Sequence, residues 1–536
     1  VNAAQIIKRA DTLKSDRATT EAHWQEVADF LLPSREFTTH TVAGSRTRQR
    51  WIFNTTPVSA NEQLAGGLHG MLTSPALRWF KLIPGGMRAA QMADSDSEVK
   101  EWFEDATERM YARFNSPKAG FNTSAHEAYL DIAAFGCGPM FIGDAGKAGP
   151  MFRTTSLSEC FISLDGWGKV DTLFRIYKWS ARNIIANWPK AQSPQLKKAA
   201  EVAPDQRFEI VHAVYPKPEG VRAEGDFVSC YVLREGVETL EEGTFLEFPY
   251  AFARWSRRSG EDYGFGPGMM ALPDVRMLNR MEEVNLKGFA KAVDPPMALP
   301  SDGFLSPLNL NPSALNYYDA TAAMKDRILP LGGNARPDLG LEYIQAVEAR
   351  VRELFYVTWM NLPTRPNMTA TEVMQRRDEQ LRLLGPMVSR LQQEFLGPII
   401  ERTFAIMWRN GLFAPPPDAL SGIQWEVEYQ SPLALAQKSS DADSVLKWMG
   451  FIVEAAKADP SVLDVVDLPK TARFMADRYG APGSSIRTEA EAQELADSRQ
   501  QAQAGMMQVE AAQGVASAAK DGTAALAQMA EMGAPA

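Results

Sequence analysis

The feature that most constrains this chain is a pair of long amphipathic helical spans, held apart by a stretch that cannot be helical. From Pro267 to Val293, Leu272, Val275, Leu278, Met281 and Leu286 recur at the spacing that lines one side of a helix. Pro267 stands at the start, where a missing N–H costs little. Pro273 must either begin the helix proper or kink it, and Pro295-Pro296 closes the span. A connector of residues 294–338 follows, rich in Pro, Gly and Asn. The second span, 339–360, carries Ile344, Val347, Val351, Leu354 and Phe355. Two such helices, separated by a compact loop-rich excursion, can pack side by side with each other and with further copies of themselves.

A short polar break, Asn361 to Met368, separates the second span from a third. The third opens at Thr369-Ala-Thr-Glu372, a plausible N-cap with an acid three residues on. Leu381, Leu384, Val388, Leu391, Phe395, Ile399 and Ile406 line it as far as about Asn410. Pro386 and Pro398 lie inside it and predict a kink.

Upstream, helical spacing recurs from Ile6 to Leu31 (stopping at Pro33), from Thr56 to Leu72, from Ser97 to Phe114 and from Thr123 to Phe135. Trp79 to Ile83 reads as a short strand. Between Gly138 and about Tyr263 the period changes to two, with short apolar runs broken by Gly, Pro and charged turns and one helical insert near Ala181 to Trp188. Beyond Pro415-Pro-Pro, residues 423–429 read as a strand and 433–479 as helices. From Glu489 onward the chain is rich in Ala, Gln and Glu and reads as a helical or disordered extension. The fold class is α+β, mainly helical.

Chemistry-bearing motifs are scarce. Gly143-Asp-Ala-Gly-Lys147 falls short of a phosphate-binding loop, because Phe141 stands where a glycine would be needed and Ala148 follows the lysine. It reads as a turn between two strands. Gly264-Phe-Gly-Pro-Gly268 precedes a helix, but Pro267 removes a backbone donor that a dinucleotide would need, so it reads as a strand-to-helix turn. The acidic pairs Asp94/Asp96 and Glu282/Glu283 read as solvated surface rather than a metal site. Arg46, Arg48 and Arg50 read as a charged turn, with phosphate contact as the alternative. No catalytic residue, cofactor or metal is expected. Cys137, Cys160 and Cys230 are too few and too scattered for a disulfide framework or a zinc site, which suits a reducing compartment. No run of apolar residues is long enough to span a membrane, and residues 1–29 lack the form of a signal peptide. The net charge of -10 argues against tight, extended binding of nucleic acid.

The order of certain segments carries more information than any one of them. Glu21-Ala-His-Trp-Gln-Glu-Val-Ala-Asp-Phe-Leu-Leu-Pro33 comes first, then Asn61-Glu-Gln-Leu-Ala-Gly-Gly-Leu-His-Gly-Met-Leu-Thr-Ser-Pro75 with Arg78-Trp-Phe close behind. Tyr263-Gly-Phe-Gly-Pro-Gly-Met-Met-Ala-Leu-Pro-Asp274, Leu278-Asn279, Val293-Asp-Pro-Pro296 and Thr369-Ala-Thr-Glu-Val373 complete the series. This set resembles the portal, or head-to-tail connector, proteins of short-tailed double-stranded DNA bacteriophages, up to about residue 410.

The resemblance implies a portal fold: a β-rich wing, a two-helix stem, a clip and a helical crown, in a dodecameric ring at one capsid vertex. Carried onto this chain, residues 1–266 form the wing, 267–293 the first stem helix, 294–338 the clip and 339–360 the second stem helix. Residues 361–368 form a tunnel loop, 369–432 a kinked wing helix and the following strand, and 433–485 the crown; 486–536 is the Ala/Gln-rich extension. The implied role is a channel for genome packaging and ejection in the virion, assembled in the host bacterial cytoplasm. The implied partners are double-stranded DNA in transit, the terminase large subunit, a tail adaptor protein, and major capsid and scaffolding proteins, with no membrane. Asn361, Arg365 and Asn367 in the tunnel loop, and Lys325 and Arg327 near the clip, become candidates for transient contact with DNA. Ion pairs between neighbouring subunits, or solvated charges, are the alternative for each. A terminase-type enzyme or an internal core protein is the competing functional class.

Overall fold

The computed structural model describes the chain except residues 1, 34–50, 77, 86–96, 219–223, 302–308, 310, 313, 320–328, 331–336, 361–383, 418–424, 430–431, 458, 460–461, 463–464 and, after Arg478, all but 492, 495, 498 and 499. The helices are α1 (Ala3–Leu31), α2 (Thr56–Leu72), α3 (Ser97–Phe114), α4 (Phe121–Phe135), α5 (Ala181–Asn187), α6 (Pro194–Val202), α7 (Pro267–Val293), α8 (Pro337–Leu354), α9 (Val357–Met360), α10 (Gly397–Arg409), α11 (Pro432–Ala456) and α12 (Leu468–Arg478). The strands are β1 (Phe80–Pro84), β2 (Cys137–Asp144), β3 (Pro150–Thr154), β4 (Cys160–Leu164), β5 (Val170–Ser180), β6 (Arg207–Pro216), β7 (Phe227–Leu233), β8 (Glu238–Phe245), β9 (Tyr250–Arg254), β10 (Met297–Ser301), β11 (Leu315–Asp319), β12 (Leu329–Pro330) and β13 (Trp425–Tyr429). The result is a mixed α+β chain of two compact units.

The larger unit comprises residues 1–79, 109–413 and 429–433. Its centre is an antiparallel sheet in the order β4-β5-β6-β7-β8. Along β6, Phe208 and Ile210 point to one side and Val211 and Ala213 to the other, as the two-residue period of a strand requires. The first side packs on Ala181, Ile184 and Leu196 of α5 and α6. The second packs on Ile6 and Ala10 of α1, with Phe161 and Phe174 between them. A sheet covered on both faces carries apolar residues on both sides of its strands, as β6 and β7 do around Glu209, His212 and Ser229. Each large side chain buried there contributes about 1.5–3 kcal/mol. The sequence reading expected one helical insert here. There are two, because Ser193 caps α6 through the Leu196 N–H and Pro194 sits in its first turn.

A second antiparallel sheet, β3-β2-β9, lies against α4. Gly143 to Lys147 forms the turn between β2 and β3, as expected. Helix α4 is bounded by Gly120 and Gly136, both left-handed at φ 73 and 76°. The Gly-rich motif after β9 exists for close approach. A Cβ on Gly266 would fall 2.5 Å from the Gly136 nitrogen, and one on Gly268 would fall 2.5 Å from the Ala134 carbonyl oxygen. Only glycine lets the start of α7 rest directly on the end of α4.

One expectation about the long helices needs correction, and the irregularity expected in the third takes a specific form. The second span is not one helix to 360: α8 ends at Leu354, and Tyr356 takes φ 57° before α9 resumes. The third span is described only from Leu384. Its irregularity is a π-turn, Gln392–Leu396, in which the Gly397 N–H reaches back to the Gln392 carbonyl. Pro398 explains it. A proline there has no N–H for the Glu394 carbonyl and clashes with it in an α-ladder, and the wider turn relieves both problems.

The smaller unit comprises residues 80–108, 414–428 and 434–536. Its β1 pairs with β13. Thr107 accepts from the Leu82 N–H at 3.2 Å, and the Trp102 indole N–H donates to the Ala414 carbonyl at 3.0 Å. Helices α11 and α12 carry exposed Leu446, Trp448, Phe451 and Leu468. No described helix is long and apolar enough to cross a membrane.

Candidate assembly surface

Helices α7 and α8 pack against each other within the larger unit. Ala271, Leu272, Val275 and Leu278 of α7 are buried, as are Ile344, Val347 and Val351 of α8. Between the helices, Arg350 donates to Asp274 at 2.7 Å.

A third segment locks onto this pair. The Asn279 side chain accepts from the Phe53 N–H at 2.7 Å and donates to the Trp51 carbonyl at 2.9 Å. One amide thus satisfies a backbone donor and acceptor as a neighbouring strand would. Asn54 donates to Glu348 at 2.8 Å, and its own carbonyl accepts from the Thr56 N–H at the start of α2. The Trp51 side chain itself remains 69% exposed.

The apolar face of α7 does not end where the core of the chain ends. At about 100° per residue, Ala271, Val275, Leu278, Glu282, Leu286, Phe289 and Val293 share one stripe about 80° wide. Its first three members are buried. Leu286, Phe289 and Val293 are 49, 58 and 70% exposed. By its spacing Leu286 belongs to the same stripe as Leu272 to Met281. The structure keeps it on that face but leaves it open.

Charge on the pair is balanced and largely neutralised locally. Helix α7 carries four basic and three acidic side chains, and α8 two basic and four acidic. Glu283 accepts from both Arg280 and Lys287 at 2.6 Å, and these two cations hold its carboxyl below the usual range. Arg276 pairs with Glu26 and Arg352 with Glu348, each at 3.4 Å. Glu282/Glu283 is therefore no acidic metal pair: Glu283 is committed to its cations. Among the described residues no group of three His, Cys, Asp or Glu could hold a metal ion. The three cysteines are free and buried, and burial pushes their thiols up to about 12 at Cys137 and about 11 at Cys160 and Cys230.

The connector between α7 and α8 contributes a small sheet, β11-β10-β12. Strand β10 runs parallel to β11, with Met297 opposite Leu315, and antiparallel to β12. Asn316 ties its own loop by donating to the Asn309 carbonyl at 2.7 Å. The sequence candidates Lys325, Arg327, Asn361, Arg365 and Asn367 all lie outside the described residues, as do Arg46, Arg48, Arg50, Asp94 and Asp96. Sequence reasoning missed the bridging roles of Asn279 and Asn54. The only signal was Asn279 standing beside the apolar stripe of a helix, where a polar residue needs a partner.

A family model described as "Bacteriophage head to tail connecting protein" matches residues 3–486, well beyond the motifs that first suggested the likeness. The chain is 28% identical over 508 residues to the "Probable portal protein" of Bordetella phage BPP-1, covering 90% of this chain and 89% of that one. It is 28% identical over 531 residues to the "Portal protein" of Salmonella phage epsilon15, covering 95 and 94%. A solved chain described as "Virion of native gene transfer agent (GTA) particle" covers 75% of this chain and 88% of its own at 12% identity, with a TM-score of 0.35, too low to carry a structural argument. With nearly its whole length matched, this chain belongs to the bacteriophage head-to-tail connecting protein family.

Proposed function

We propose that the chain is a portal subunit: copies associate side by side into a closed ring at one capsid vertex, and DNA passes through the ring. The observation that carries this reading is the α7 stripe, which serves the core over Ala271–Leu278 and is bare over Leu286–Val293. An apolar stripe continued past the core into solvent is a surface for a second molecule. A ring of identical subunits supplies the same surface at every position. The family's twelve-fold ring fits this use.

In this reading α7 and α8 are the stem, and the sheet β11-β10-β12 lies in the clip, facing a terminase large subunit during packaging and a tail adaptor afterwards. The sheet-rich part of the larger unit belongs to the wing, with capsid and scaffolding proteins around it. Residues 361–368 are the tunnel loop, with Asn361, Arg365 and Asn367, together with Lys325 and Arg327 of the clip, meeting DNA only transiently. Residues 433–485 form the crown. The neutralised charges of α7 and α8 support a conduit, since a wall of unpaired Arg and Lys would release counterions from DNA and hold it. The role is structural and requires no catalysis.

Electron microscopy and native mass spectrometry of the purified full chain test the reading. Closed rings with a central hole are expected. Monomers or open filaments under all conditions overturn it.

A further inference from the structure

Segment 361–383 has two described flanks, and both are held by the same end of one strand. On the upstream flank, Phe355 is buried and Tyr356 adopts φ 57°, a left-handed conformation that a bulky residue holds only when its surroundings impose it. The ring of Tyr356 lies 5.8 Å from that of Trp255. On the downstream flank, Glu394 in the π-turn accepts two bonds from Arg254, Nε to Oε2 at 2.8 Å and Nη2 to Oε1 at 2.9 Å. Arg254 ends β9 and Trp255 is the next residue. Both side chains are almost wholly buried.

The strand end is itself fixed. Arg254 Nη1 donates to the Asp262 carbonyl and Nη2 to the Gly168 carbonyl, so every arm of the guanidinium is used. The Trp255 N–H donates to the Gly136 carbonyl at 2.9 Å. Beyond the π-turn, α10 is anchored in turn: the Arg402 Nε donates to the Ile142 carbonyl at 2.9 Å, and Ile399 and Ile400 are fully buried. A π-turn holds one residue more than an α-turn. Losing it would rotate one side of the helix by about 100° relative to the other. With α10 anchored, the rotation would fall on residues 384–391, which bury Leu384 and Leu391 and lead directly out of segment 361–383.

We propose that Arg254 and Trp255 form a two-armed clamp that sets the register of both flanks of segment 361–383. Arg254 is the last residue of β9 and Trp255 the first beyond it, so one strand end reaches two helical segments at once. Arg254 and Trp255 act as positioning residues for whatever the segment meets. That this is DNA in a channel rests on the reading under Proposed function; the clamp itself does not.

The test uses the full chain with Glu394→Ala on one arm and Trp255→Leu on the other. Arg254 is left intact because it serves several other carbonyls. Hydrogen–deuterium exchange is read over residues 337–360 and 384–396, with ring formation and DNA packaging in virions measured in parallel. A shared clamp predicts at least tenfold faster exchange in both stretches from either substitution, with unchanged ring formation and altered packaging. Faster exchange only at the substituted flank, or a change under twofold in both, overturns the clamp. Faster exchange at both flanks with unaltered packaging overturns the positioning role. Failure of the unsubstituted chain to form rings counts against the channel reading and leaves the exchange result to judge the clamp.

Discussion

The five-stranded sheet and the distal half of α7 solve the same problem in opposite ways. The sheet is covered on both faces within one chain, and the buried Arg17 and His212 find hydrogen-bond partners there. Arg17 of α1 is buried, donating to the carbonyls of Leu157, Ser158 and Cys160 at 2.7–2.8 Å, with its guanidinium 3.8 Å from the centre of the Phe161 ring. His212 is enclosed between Tyr250 and Ser229 and stacks on Tyr231 at 4.0 Å. Distal α7, by contrast, presents four large apolar side chains to solvent, three of them on the stripe that continues the core, beside neutralised charges. One region is finished by its own chain; the other leaves an apolar face open, which the proposed ring would cover.

The largest test of this contrast is to place charge on the open stripe. Leu286→Glu with Phe289→Glu is expected to abolish ring formation in native mass spectrometry. It should cost the isolated chain no more than about 0.5 kcal/mol, since both sites are exposed. Rings that persist would break the contrast.

Next in size is Arg17→Ala. It strips two buried carbonyls and one half-buried one of a donor, so a loss of about 3 kcal/mol is expected in denaturant unfolding of the chain. A loss under about 1 kcal/mol would mean that water replaces the guanidinium and that the sheet is less closed than argued.

The smallest effect concerns pH. Burial, with Arg175 and Arg153 nearby, depresses His212 from 6.5 to about 3. A folded-state pKa below the unfolded one gives stability that is whole above about pH 6.5 and is lost as pH falls toward 3. By pH 5 the penalty is on the order of 2 kcal/mol. His212→Gln should flatten that slope in thermal melts between pH 7 and 5. An unchanged slope would place the acid sensitivity elsewhere.

Much of this was legible in the residues because local chemistry marks local boundaries. Helices α2, α3 and α7 begin and end where the sequence reading put them: Pro57 and Pro267 stand in first turns, and Asp294-Pro-Pro ends α7. Helix α6 was missed because nine residues give a weak periodic signal. The break at Tyr356 was missed because nothing about a tyrosine announces a left-handed conformation; it accompanies the burial of Phe355 and the approach of the Tyr356 ring to Trp255. The proline at 398 announced an irregularity but not its kind. A kink and a π-turn relieve the same clash, and Arg254 reaching Glu394 favours the second. Likewise the glycines of 264–268 were visible as a turn, but not as the contact of two helix ends.

The sequence by itself determined where most of the longer helices and the strand-rich region lie, that the chain carries no motif for nucleotide or metal chemistry, and which family its ordered segments resemble. Those follow from side-chain period, backbone restriction at Pro and Gly, and short-range capping, all written within a few residues of where they act. Only the tertiary structure decided which part of an apolar face is core and which is surface. Ala271 and Phe289 occupy the same stripe of one helix, and nothing local distinguishes them. The difference arises because other parts of the chain cover the first and reach no farther, and burial depends on neighbours distant in sequence.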